Sequence, residues 1–210
     1  MIFRKKNEYQ IIVDYVEGRL PAEEFHKQFL TNKFLQRVLQ NKMSSRYTFL
    51  SAYDYSLYNY LLNEWQFVHR KWNSFTIQNM LQEVLTAYLD DNNIKYNLYP
   101  KYAEEYIFLL SIQPSWLDID DDFIFQQIMQ EIPQDLPKTQ RIKMGKEKIK
   151  AMFKYDKTYP RWIQDPEWPI VNGKPLVFSH QERVKGDDFH TLYYFYDEDT
   201  KEVTVIEQFS

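Results

Sequence analysis

The stretches LVFSHQERV (176–184), FHTLYYFY (189–196) and EVTVIEQF (202–209) decide the fold. Each has the length of a strand, and the aromatic and β-branched residues among them suit a pleated, half-buried surface. The first two are separated by Lys185-Gly186-Asp187-Asp188 and the last two by Asp197–Lys201, both polar turn segments. Short polar turns between such runs predict an antiparallel three-stranded meander. Alternate residues of a strand point to opposite faces. In the last run this puts Val203, Val205, Glu207 and Phe209 on one face and Thr204, Ile206 and Gln208 on the other.

Upstream lies YDKTYPRWIQDPEWPIVNGKP (155–175), rich in Pro and Trp and without a helical period. Pro166 and Pro169 hold the residues before them extended, and Asn172-Gly173 supplies a tight turn. Everything before about Tyr155 reads helical. Tyr9, Ile12, Val13 and Val16 form a stripe over Glu8–Glu17, which Gly18 stops. Pro21 opens a second helix with Phe25, Phe29 and Leu30 as its buried face. Asn32 caps a third, with Leu35, Val38 and Leu39 inward. Phe49, Tyr53, Leu57, Tyr60 and Leu61 recur at helical spacing within 47–72. The clearest helix is Phe75–Leu89, capped by Ser74 or Asn73. Tyr102–Leu110, Phe123–Ile132 and Lys138–Lys154 follow. The sequence thus predicts an α+β protein: a helical region over 1–154 with about six to eight helices, then a Trp/Pro strap and sheet over 155–210. Whether the two parts share one core is open at this level.

The chain has 210 residues and no cysteine. It is long enough for a sizeable core, and the missing thiols exclude disulfides, thiolate zinc sites and cysteine nucleophiles. The N-terminal residues lack the apolar region of a signal peptide, and runs such as YIFLL (106–110) are too short to span a bilayer. The expected compartment is the cytoplasm. Net charge is -4, unevenly spread. Residues 138–154 hold seven Lys/Arg and one Glu, whereas 155–210 hold six Lys/Arg and eleven Asp/Glu.

No common catalytic pattern is present. The four glycines, Gly18, Gly145, Gly173 and Gly186, are too far apart to cradle a phosphate. There is no GxSxG elbow, and Ser44-Ser45 reads as a loop. Glu23-Glu24 and Glu104-Glu105 are adjacent on helices and point partly apart. His26 and His69 sit singly on helices. His180 and His190 flank one predicted hairpin with Asp187 and Asp188 in its turn, so a two-His, one-carboxylate metal site is conceivable. The basic residues of 138–154 read as scattered around their helix, and the sequence pI of about 5.6 opposes a nucleic-acid footprint. No catalytic residue, cofactor or metal site is expected.

Two segments carry a resemblance. WIQDPEWPIVNGKPLVF (162–178) followed by Gln181, and YFYD (194–197) with Thr200, Glu202 and VIEQF (205–209), resemble the strap and closing hairpin of YwqG-like and polymorphic-toxin immunity proteins. IIVDYVEG (11–18) with Phe25 resembles the start of helical immunity proteins from contact-dependent toxin systems. The resemblance implies a cytoplasmic immunity protein, not an enzyme, that binds and blocks a cognate toxin domain. The acidic cluster Asp118, Asp120, Asp121 and Asp122 is the first candidate contact for a basic partner, with Trp162 and Trp168 of the strap as the second. The alternatives are an enzyme with its site near the 180–190 hairpin and a nucleic-acid module using 138–154. The Tyr and Trp content is compatible with a homodimer interface.

Overall fold

The computed structural model describes residues 9–67, 74–186 and 189–209, with backbone alone for 64–67. The architecture is α+β, with helices first and an antiparallel sheet last. The chain divides into two compact units, residues 1–106 and 107–210.

The first unit is built from α1 (Gln10–Val16), α2 (Ala22–Thr31), α3 (Lys33–Leu39), a 3₁₀ turn (Thr48–Tyr53), α4 (Leu57–Phe67), α5 (Phe75–Asp91) and the start of α6 (Lys101–Ile112). Their apolar stripes meet in one core around Ile12, Tyr15, Phe25, Leu39, Leu85 and Tyr88. The caps fall where the side-chain chemistry demands them. Asn32 accepts from the Phe34 and Leu35 amides, and Ser74 from Ile77, each satisfying a donor that the first helical turn leaves without a partner. Gly18 ends α1 at φ 73°, and a Cβ there would lie 2.5 Å from the Tyr99 ring, so no other residue fits.

Several buried polar groups of this unit are paired across its core. Tyr15 donates to the Gln78 carbonyl at 3.0 Å and Tyr88 to the Val38 carbonyl. Burial pushes both phenols well up from their ordinary value. Gln82 donates to the Val16 and Tyr99 carbonyls, tying α5 to the end of α1 and to the segment before α6. One expectation needs correction. Leu30 is 51% exposed, because α2 buries Ala22, Phe25 and Phe29, a stripe that leaves Leu30 at its flank. The helical spacing of Phe49, Tyr53, Leu57, Tyr60 and Leu61 spans two elements, because Asp54 and Tyr55, both at positive φ, separate the 3₁₀ turn from α4.

The second unit contains the end of α6, α7 (Asp121–Gln127), a 3₁₀ turn (Met129–Glu131), α8 (Lys138–Met152), a two-stranded hairpin of β1 (Ile170–Val171) and β2 (Lys174–Pro175), and the meander β3 (Val177–Arg183), β4 (His190–Tyr196) and β5 (Val203–Phe209). Sheet order is β3-β4-β5, antiparallel throughout, with a bulge between Phe178 and His180. The change from helix to strap falls near residue 155, as the sequence reads. The compact units, however, divide at 106/107 instead of 154/155. Helical residues of 107–153 bury Ile112, Ile124, Ile149 and Phe153 in the unit that also buries Trp168, Phe178 and Phe195. Phe153 lies edge-on to Trp168 at 5.6 Å, so this helical segment and the sheet share one core. Gly145 of α8 lets Ile112 approach, since a Cβ there would be 2.6 Å from its Cγ2.

Among the described residues no helix is long and apolar enough to cross a membrane.

Candidate functional site

The strap crosses the inner face of the sheet and is held there mainly by side chains. Gln181 on β3 accepts from the Arg161 amide at 2.6 Å and donates back to its carbonyl at 3.2 Å. Tyr193 on β4 donates to the Arg161 carbonyl and accepts from the Ile163 amide, both at 3.0 Å. Gln208 on β5 is fully buried. Its Oε1 accepts from the Ile163 and Gln164 amides at 3.2 and 3.1 Å, and its Nε2 donates to the Asp165 carbonyl at 2.8 Å. Irregular backbone cannot satisfy itself as a helix does, so three strands each lend it a polar side chain.

The two strap tryptophans belong to this latch. Trp168 is buried and donates to the Leu176 carbonyl at 2.8 Å. Trp162 packs tilted against Tyr193 with ring centroids 4.5 Å apart, and its indole N–H reaches the Trp116 carbonyl at 2.8 Å. Of the six candidate contact residues, these two face the interior of their own unit. Trp168 has almost no surface left for a partner, and its role is internal packing.

The four aspartates sit at the start of α7. Asp118 is exposed. Asp120 is the cap, accepting from the Asp122 amide at 2.9 Å, and Asp121 and Asp122 occupy the first turn, where negative charge suits the helix dipole. Residues 107–137 contain six acidic residues and no Lys or Arg. The segment is thus a strongly acidic stretch.

The 180–190 hairpin does not bring its histidines together. His180 pairs with Tyr194, and His190 lies four residues back along β4 opposite Phe209. At about 3.3 Å per residue the two are roughly 13 Å apart along the strand. Each ring is stacked instead: His180 on Tyr194 at 4.5 Å and His190 on Phe209 at 4.2 Å. Among the described residues no cluster of three His, Asp or Glu could hold a metal ion. His69, Asp187 and Asp188 lie outside the described residues.

The basic residues of α8 divide. Arg141 lies over the Phe108 ring at 4.7 Å, Lys148 pairs with Glu131, and Lys154, just past the helix, pairs with Glu198 at 2.6 Å. Lys143, Lys146 and Lys150 are exposed and fall within about 60° of one another at 100° per residue. The scatter expected from sequence holds for the set, but these three share an outward sector.

The outer face of the sheet was not singled out by sequence. It carries His180 and Glu182 on β3, Leu192, Tyr194 and Tyr196 on β4, and Val203, Val205, Glu207 and Phe209 on β5. On β5, Val203, Val205 and Phe209 stand 64%, 42% and 53% exposed. The signal was present as apolar residues on both faces of 202–209, because a sheet covered on one side buries only one set. Two acids lie along this face: Glu182, which accepts from the Tyr194 hydroxyl at 2.7 Å, and Glu207.

The chain matches no family model, no curated protein and no solved structure.

Proposed function

We propose that this protein is a stoichiometric antagonist of the immunity type, which binds a basic toxin domain and blocks it. The observation that carries the reading is the open outer face of the sheet. Exposed apolar residues gathered on one face mark an interaction surface, since isolated exposed side chains need no explanation but a contiguous set does. An acidic border fits a partner of opposite charge and disfavours others. The acidic stretch before and along α7 supplies a longer-range field that speeds encounter with the same partner. The strap and its tryptophans keep the sheet rigid, so that its face is presented in one geometry.

The test is a co-expression and pull-down with the toxin domain encoded beside this protein's gene. A one-to-one complex that abolishes toxicity supports the reading; a toxin still active and unbound rejects it. In such a complex, Asp118→Lys with Asp122→Lys, which leaves the Asp120 cap in place, is expected to slow association about tenfold at low salt. Unchanged association kinetics in that variant remove the acidic stretch from the mechanism.

A further inference from the structure

The two edges of the meander are treated differently. At the β3 edge the Phe178 amide donates to the Lys154 carbonyl at 2.9 Å and its carbonyl accepts from Asp156 at 3.0 Å. Farther along, Gln181 holds Arg161. Among the described residues no backbone group covers the β5 edge in this way. The Asp197 amide donates to the Glu202 carbonyl at 2.9 Å, which fixes the phase of the β4–β5 ladder. In an antiparallel pair, bonded and non-bonded residue pairs alternate. Thr204, Ile206 and Gln208 therefore spend their amides and carbonyls on β4. Those of Val203, Val205, Glu207 and Phe209 point away from it. The Phe209 carbonyl is taken by Gln164 at 2.5 Å, a bond that confirms the phase. Val203, Val205 and Glu207 are left with three outward amides and three outward carbonyls that bond to no described residue. Their side chains lie on the open face.

Charge decides what such an edge accepts. Residues 202–210 contain two acids and no Lys or Arg. The acidic turn before them is already matched, Glu198 by Lys154 and Asp199 by Lys174 at 2.9 Å. Among the described residues Glu202 makes no ion pair, although the adjacent Lys201 lies over the Tyr196 ring at 5.5 Å, and the group against Glu207 is the His190 ring at 3.5 Å, charged only when protonated. A second copy of β5 would bring like charges to the same junction, and natural edges use such charges to prevent self-pairing. We infer that β5 is a docking edge for an extended segment of a partner protein, one that alternates apolar residues with Lys or Arg and adds as a fourth strand. The inference rests on the protein-binding reading above and names its mode.

The experiment uses the full 210-residue chain, isotope-labelled, and two capped synthetic peptides of sequence TKVKVKT and TEVEVET. The lysine peptide is expected to bind at least tenfold more tightly, with shift changes and exchange protection centred on the Val203, Val205 and Glu207 amides. Val205→Pro removes an amide that the sheet itself does not use, so the fold survives and binding of the lysine peptide falls at least tenfold. Glu207→Lys is expected to reduce the preference for the lysine peptide. Equal binding of both peptides, shifts confined to other surfaces, or an unaffected Val205→Pro variant overturns the inference. So does a dimer in sedimentation that Val205→Pro dissolves, because the occupant would then be a second copy. The peptides do not depend on any toxin. A failed pull-down with positive peptide binding therefore rejects the immunity role and keeps the edge; the converse keeps the role and rejects the edge.

Discussion

The first unit and the second solve the same problem by different means. In residues 9–106 regular helices satisfy their own backbone, and apolar stripes do the joining, as where Tyr15 meets Phe25 at 5.2 Å. Polar side chains such as Gln82 add local ties. In residues 107–209 the strap has little regular backbone pairing, and Gln181, Tyr193 and Gln208 hydrogen-bond it to the sheet. The contrast shows that a buried polar side chain can do for an irregular segment what a ladder does for a strand. It also places the specificity of the second unit in few residues.

Three measurements break or sharpen that contrast. The largest effect is expected in the helical core. Phe25→Ala removes a fully buried ring and should cost about 3–5 kcal/mol in denaturant unfolding. A loss below about 1 kcal/mol would mean that the helices do not depend on that core. Gln208→Leu comes next. It keeps the volume but strands the Gln164 amide and the Asp165 carbonyl, while the Ile163 amide keeps its bond to the Tyr193 hydroxyl. Each unsatisfied group costs about 1–3 kcal/mol before relaxation, so a net loss of about 2–4 kcal/mol is expected. Hydrogen exchange at Gln164 should accelerate in parallel, while amides of α5 stay protected. Uniform acceleration across both units would show that the latch is not local.

The smallest effect concerns Glu17, in the first unit. The Asn97 amide, at 2.9 Å, and then Arg19 hold its carboxyl below the ordinary value. A depressed carboxylate contributes stability above its unfolded pKa, about 4.3, and that contribution is lost as pH falls through the folded value. Glu17→Gln should therefore flatten the acid side of the stability profile below about pH 4.3 and leave the neutral region within about 1 kcal/mol. An unchanged acid slope would assign the acid sensitivity elsewhere.

The helices were legible because their apolar residues recur at the helical period and because Asn32, Ser74 and Asp120 stand where caps are needed. The meander was legible from the turns at 185–188 and 197–201. The boundary between the units was not, because it falls inside α6, whose stripe continues through Phe108, Leu109 and Ile112 without a break. The latch was hidden for a different reason. Gln181 and Gln208 look like solvated strand residues until the strap is laid over them. The aspartates stand out in the sequence as an acidic patch, and the structure places them at a helix start. The open face was obscured because Val205 and Ile206 are equally apolar, and pattern alone does not say which points inward.

Three of the five tryptophans, Trp116, Trp162 and Trp168, stand in the second unit among Tyr155, Tyr159, Tyr193, Phe178 and Phe195. Trp116 and Trp168 have ring centroids 5.5 Å apart, close enough for their electronic transitions to couple. The unit therefore carries its own optical label. A change in near-ultraviolet circular dichroism should follow the seating of the strap, without attaching a dye.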